Sequence, residues 1–170
     1  MKIIYVHHAL RKKGNPPTQD DKIQPLGIKD AKITAKLIKQ MAKKSNICAI
    51  YTSPYYRCAK TAEIINKYAK APIYKEVGLN EFNKTYTIVE NGQTITKTET
   101  WIECQQRIRQ ALQEIVNKHQ ENDTVICVTS GVNIAVFISL AFKIPASETL
   151  PFPSVPSCSP MGFEIDKSCF

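Results

Sequence analysis

Tyr51-Thr52-Ser53-Pro54-Tyr55-Tyr56-Arg57-Cys58-Ala59-Lys60-Thr61-Ala62 is the stretch whose reading decides the fold. It begins inside an apolar run, residues 47–51, that reads as a buried strand. Thr52-Ser53-Pro54 stops the strand and starts a helix that runs through Arg57, Ala62, Ile64 and Ile65. Arg57 therefore stands at the start of a helix, just past the carboxyl end of a strand. Two more strands end in polar residues in the same way. Residues 2–6 run into His7-His8, and residues 125–128 run into Thr129-Ser130-Gly131. In open α/β sheets, ligands bind outside the carboxyl ends of the strands. If the three strands are parallel neighbours, an imidazole, a guanidinium and a hydroxyl converge beside helix N-termini, which makes an anion site. Arginine suits phosphate there because its planar fork binds oxygens bidentately.

The remaining elements extend the same alternation. Pro25-Leu26-Gly27 precedes a helix whose apolar positions Ile33, Leu37, Ile38 and Met41 have the spacing of one buried face. Ile73-Tyr74 adds a brief strand. Asn91-Gly92, flanked by residues 86–89 and 93–96, is a strong hairpin signal, because both residues tolerate positive φ. A helix over residues 101–117 is expected to turn Ile102, Ile108, Leu112 and Ile115 inward. Residues 132–142 read as a buried helix interrupted by Asn133 and Ser139, and residues 161–165 as a last strand. Alternating strands and helices predict an α/β domain with a mostly parallel central sheet. One domain over residues 1–170 is expected, with the hairpin as a small insertion.

Composition narrows the class. The chain has 170 residues, a net charge of +8 and six cysteines, enough length to bury a core without metal or disulfide staples. No apolar stretch reaches the roughly 18 residues of a transmembrane helix, and the N-terminus lacks the pattern of a signal peptide. No membrane partner is expected. The lysines scatter over helix faces without an aromatic-plus-arginine stripe suited to bases, so the charge is read as a bias toward small anions, with no nucleic-acid partner. Cys48, Cys58, Cys104, Cys127, Cys158 and Cys169 form no C-x-x-C pair and no Cys/His set with zinc spacing. Reduced thiols and a cytoplasmic home are expected, with no cofactor and no metal. His119, in Lys118-His119-Gln120-Glu121, is read as solvated surface.

Taken singly, each polar strand end has a plain explanation. A histidine there is usually a satisfied polar residue, Arg57 fits an ordinary helix surface, and Ser130 fits a cap on the next helix. The order of the motifs changes the weight. Val6-His7-His8-Ala9, then Pro25-Leu26-Gly27-Ile28-Lys29-Asp30-Ala31, then the block around Ser53-Pro54-x-x-Arg57-x-x-x-Thr61-Ala62 resembles the histidine phosphatase superfamily. That family opens with Arg-His-Gly after the first strand, continues with Leu-Gly-x-x-Gln-Ala, and then carries Ser-Ser-Pro-x-x-Arg-x-x-x-Thr-Ala. The resemblance runs on through Leu79-Asn80-Glu81 and residues 99–112 and 125–140. It implies a three-layer α/β/α fold of the phosphoglycerate mutase type.

The resemblance also assigns roles. His8 matches the histidine that attacks phosphorus, and Glu81 the acidic residue that protonates the leaving group and then activates water. Arg57 matches a phosphate-binding arginine. Asn15 stands for the polar loop residue after the first motif, one position out of register. Two departures follow: His7 occupies the place of the family's first arginine, and Ser130 that of its second histidine. Ser130 donates one hydrogen bond but no charge, and His7 brings charge only when protonated. Arg11, Lys12 and Lys13 are candidates to compensate over the phosphate, or are a solvated loop. The implied partner is a small phosphorylated molecule or inorganic phosphate. The implied activity is phosphatase-like and reduced. The alternatives are an inactive ester-binding or regulatory protein, and a mutase, for which the chain is short. Oligomeric state is left open.

Overall fold

The computed structural model describes residues 1–12, 21–42, 46–82, 86–90, 92–141 and 155–166. Its elements are β1 (Lys2–His7), α1 (Pro25–Met41), β2 (Ile47–Thr52), α2 (Tyr56–Ala69), β3 (Ile73–Lys75), a short 3-10 turn (Val77–Leu79), β4 (Tyr86–Glu90), β5 (Gln93–Lys97), α3 (Trp101–Asn117), β6 (Thr124–Thr129), α4 (Gly131–Ala141) and β7 (Pro160–Glu164). The main sheet has the order β3-β2-β6-β1-β7. All its pairings are parallel except β1 with β7. The expected hairpin forms as an antiparallel pair, β4 with β5, apart from the main sheet. Gly92 takes the positive φ of 77° that the turn requires.

The strand alternation sorts the core into two layers. Ile3, Tyr5, Val125 and Cys127 face one side, with Ile108, Leu112 and Ile115 of α3 and Ile134 and Phe137 of α4. Ile4, Val6, Ile126 and Val128 face the other, with Ala35 and Ile38 of α1 and Ala62 and Ile65 of α2. Side chains along a strand alternate faces, so one run of apolar residues serves both layers. The expected three-layer α/β/α architecture is the one observed. Among the described residues, no helix is long and apolar enough to cross a membrane.

Three expectations about packing faces change. On α1 the buried residues are Gly27, Ala31, Thr34, Ala35 and Ile38, while Ile33, Leu37 and Met41 are 50%, 43% and 36% exposed. Small residues win that face because they let the helix approach closely, and the larger residues a third of a turn away are turned outward. On α3, Ile102 is 60% exposed; Trp101 and Cys104 take the inner face instead. That helix starts at a capping box in which Thr100 and Glu103 satisfy each other's backbone N–H groups, which fixes its rotation. The third change concerns His119, which packs inside a half-buried cluster.

Gly27 brings α1 close against the backbone of the segment after β1. A Cβ there would lie 2.6 Å from the Leu10 carbonyl oxygen and 2.8 Å from the Leu10 nitrogen. Both are backbone atoms, and the Leu10 carbonyl is already held by the Gln24 N–H at 2.9 Å. Gly27→Ala is expected to cost about 1–3 kcal/mol by overpacking, read as a drop in the denaturation midpoint; a midpoint equal to wild type would show that α1 can retreat freely.

Candidate active site

The carboxyl ends of β1, β2 and β6 finish level with one another, with His7 beside Thr129 and Thr52 beside Val128. Just beyond β1, the His8 N–H donates to the Thr129 carbonyl (2.9 Å), and the His8 side chain is buried. The two histidine rings sit edge to face with centroids 4.5 Å apart. Their tautomers follow from their partners. His8 Nδ1 lies 3.0 Å from the Ala9 carbonyl oxygen and His7 Nδ1 2.6 Å from that of Val155. A carbonyl can only accept, so each ring carries its proton on Nδ1 and, when neutral, leaves Nε2 as a bare lone pair.

Burial is the main cause that pushes the His8 imidazole down to about 3, opposed by its bond to Ala9 and reinforced by His7, Arg57 and Arg11. Burial also holds His7 below its ordinary 6.5, against the Val155 and Pro156 carbonyls and Glu81, which favour its proton. Near neutral pH both rings are uncharged.

Arg57 is 3% exposed rather than a surface arginine. It forms an ion pair with Glu81 and lies over the Tyr55 ring, 4.8 Å from its centroid. Thr61 ties the helix to the loop after β1: its hydroxyl donates to the Arg57 carbonyl (2.6 Å) and accepts the Ala9 N–H (2.9 Å). Arg11 pairs with Asp21 and lies near enough to act on His8. Ser130 is buried at the head of α4, where its hydroxyl accepts the Asn133 N–H at 3.4 Å, the capping role. His7 packs on the next residue: a Cβ at Gly131 would stand 3.3 Å from the His7 Cε1. His7, His8, Arg57 and Glu81 thus cluster at one end of the sheet. Asn15 and Lys13 lie outside the described residues.

Glu81 is aimed by residues to which the sequence reading gave no role. Asn133, wholly buried, donates from Nδ2 to the carbonyls of Leu79 (2.6 Å) and Asn80 (2.8 Å) and to the Thr129 hydroxyl (2.8 Å). The Thr129 hydroxyl in turn donates to the Leu79 carbonyl (2.6 Å). Arg107 grips the same loop from α3, donating to the Gly78 and Asn80 carbonyls (2.8 and 3.0 Å) while holding Glu99 through two nitrogens. Ser53 adds a bond to the Asn80 side chain (2.6 Å). The available signal was Asn133, one of two polar residues, with Ser139, in a largely apolar helix.

The histidine phosphatase superfamily (branch 1) model matches residues 17–87 and 83–170. The chain belongs to the histidine phosphatase superfamily. The match starts past the paired histidines. A comparison with curated proteins gives no match. Among solved structures, YhfR of Bacillus stearothermophilus superposes with a TM-score of 0.75 at 22% identity, covering 97% of this chain and 91% of that one. The mycobacterial glucosyl-3-phosphoglycerate phosphatase complexed with VO3 gives 0.72 at 14% identity, over 95% and 90%. The protein histidine phosphatase SixA complexed with tungstate gives 0.70 at 13% identity, over 99% and 91%. At these identities the likeness is one of fold.

The neutral histidines tie stability to pH. In the unfolded superfamily member His8 titrates at its ordinary 6.5, and in the native state at about 3. Between those values the unfolded chain binds a proton that the native one does not, so stability is full above about 6.5 and falls as pH drops toward 3. His7 adds in the same direction. Urea denaturation of His8→Gln is expected to show a shallower loss of stability across that window than wild type; an equal slope would mean that native His8 titrates normally.

Proposed function

We propose that this histidine phosphatase superfamily member hydrolyses a small phosphomonoester through a phosphohistidine at His8. The observation that carries the reading is a buried, neutral His8 whose Nδ1–H is tied to the Ala9 carbonyl. That leaves the Nε2 lone pair as the nucleophile. Arg57 is the phosphate ligand. Its present partner is the Glu81 carboxylate, an anion of similar reach, so the incoming phosphate takes over the guanidinium and releases Glu81. The tungstate and VO3 complexes of two similar structures support a role for the fold in holding such oxyanions.

The proposed reaction has two steps. Glu81, released from Arg57 by the phosphate, first takes up a proton from solvent; the Nε2–P bond then forms as the ester P–O bond breaks, and Glu81 passes that proton to the leaving oxygen. Water then attacks phosphorus, loses a proton to Glu81, and the P–N bond breaks to release phosphate. His7 and Ser130 line the anion site beside Arg57, and Asn15 is a further candidate on its motif position alone.

A second reading, a binding or regulatory protein with little turnover, is favoured by one feature. A neutral His7, with Nδ1–H committed to Val155, offers phosphate no donor, and Ser130, whose hydroxyl oxygen accepts the Asn133 N–H, offers a single uncharged O–H. Each lost donor to transition-state charge costs about 10²–10³-fold in rate. Low turnover is therefore expected.

Single-turnover assays with a chromogenic phosphate ester are expected to give slow hydrolysis that His8→Ala abolishes. Equal inertness of both proteins across several esters would leave only the binding reading. His7→Arg combined with Ser130→His is expected to raise the rate by about tenfold or more, restoring up to two donors; no gain would mean that neither position faces the transferred phosphoryl group.

A further inference from the structure

At the opposite end of the sheet a second cluster forms. Cys48, His119 and Asp123 bring one ligand atom each to within 4.8 Å of one another. The His119 Nδ1 lies 3.3 Å from the Cys48 Sγ and 3.5 Å from Asp123 Oδ2. Zinc bonds to sulfur at about 2.3 Å, to imidazole nitrogen at about 2.0–2.1 Å and to carboxylate oxygen at about 2.0–2.2 Å; at tetrahedral angles the ligand atoms then stand about 3.3–3.7 Å apart. The cluster already has two edges of that tetrahedron. From these three residues we propose a zinc site with an open fourth position.

Local structure aims each ligand. Cys48 is the extra residue of a β-bulge: Ile47 pairs with Thr124 and Ala49 with Val125, which leaves Cys48 with no partner residue on β6. A bulge re-aims a side chain, and this one turns Cys48 to the face of Ala49 and Tyr51. His119 and Asp123 share the turn between α3 and β6. The Asp123 N–H donates to the Gln120 carbonyl (3.1 Å), and Asp123 Oδ2 accepts the Gln120 N–H (2.8 Å), which fixes the carboxylate and leaves lone pairs for a metal. His119 is 12% exposed at its side chain. Its Nε2 lies 2.9 Å from the Tyr51 hydroxyl. With a metal on Nδ1, Nε2 carries the proton and donates it to the Tyr51 oxygen, the outer-shell bond that metal-binding histidines ordinarily make.

The open position faces a cavity of about 420 Å³ lined by residues that include Tyr74, Lys75, Glu76 and Lys118. The two lysines favour an anionic or neutral fourth ligand. On binding, the Cys48 S–H bond breaks, the proton leaves to solvent and the Zn–S bond forms. The site joins β2 to the turn before β6, at the amino ends of the strands, about a strand length of ~20 Å from His8.

The test uses the full chain, free of any affinity tag and stripped of metal. Zn²⁺ is titrated against a chromogenic chelator, and Co²⁺ serves as the spectroscopic probe. One equivalent of zinc is expected, and cobalt should give a thiolate charge-transfer band with tetrahedral d–d absorption. Tyr51→Phe is expected to weaken zinc about 10–100-fold, and Cys48→Ser, His119→Gln and Asp123→Asn to weaken it further. Far-UV circular dichroism checks that each variant folds, and the three ligand variants stand in for one another if one does not. No binding by wild type, a charge-transfer band that survives Cys48→Ser, or zinc affinity unchanged in both His119→Gln and Asp123→Asn overturns the proposal. So does zinc that is lost only in His8→Ala.

Discussion

The register of β1 on β6 is the constraint on which the rest depends. Pairing runs unbroken from Lys2 beside Thr124 to His7 beside Thr129. Both strands are buried on both faces, so a slip of one residue would exchange the whole of Ile3 and Tyr5 for Ile4 and Val6 between the two layers. The layers are not interchangeable. Tyr5 packs its ring on that of Phe137 of α4 with centroids 4.5 Å apart, whereas Val6 lies in a layer of branched aliphatic side chains and alanines beneath α1 and α2. Apolar packing of different sizes on the two sides therefore sets the register. The register in turn delivers His8 to the Thr129 carbonyl and brings the loop beyond β2 alongside. The geometry at the carboxyl ends of the strands is thus a by-product of core shape, settled by apolar side chains.

Charge follows a similar logic. The chain carries +8, yet the three arginines around the loops at this end each face a carboxylate: Arg57 with Glu81, Arg11 with Asp21, and Arg107 with Glu99. A guanidinium as buried as Arg57 cannot be left uncompensated, because removing one partner of a buried pair is strongly destabilising. Glu81 thus performs for the fold what a phosphate would perform for the proposed reaction. The desolvation of Arg57 is already met when a ligand arrives, and binding measures the difference between two anions rather than the full attraction of one.

Much of this was legible in the sequence, and the reasons are physical. β1, β2 and β6 are short apolar runs bounded by polar stops, so their existence and their polar ends could be read directly. The Asn91-Gly92 hairpin announced itself by the positive φ it needs. The face of α1 could not be read, because hydrophobic spacing weighs Ile33, Leu37 and Met41 above Gly27, Ala31 and Ala35, whereas close approach of helix to loop selects for the absence of side chains. The clamp on the Glu81 loop was hidden for a different reason: Asn133, Thr129 and Arg107 act on backbone carbonyls, and a carbonyl leaves no mark in a sequence. Cys48, His119 and Asp123 escaped motif spacing because a bulge and a turn, rather than a short repeat, bring them together.

His7 gathers these themes. Its N–H, its carbonyl and its ring all bind the segment after α4: the carbonyl accepts the Cys158 N–H at 3.0 Å, and Nδ1–H donates to Val155. Cys158, with its φ of 62°, is in turn held by the Thr34 hydroxyl on α1 at 2.5 Å. So His7 is a junction between β1, α4 and the closing segment. On the proposed reaction this has a cost. With Nδ1–H committed and the ring neutral, Nε2 presents a lone pair to an anion that needs donors. A phosphate can use His7 only by drawing a proton onto it, and linkage requires that the bound anion raise the affinity of His7 for that proton by the same factor that the proton raises the affinity for the anion. An arginine would supply its charge before the ligand arrives; His7 supplies it only with the ligand, so the pocket's second cation exists only in the bound state.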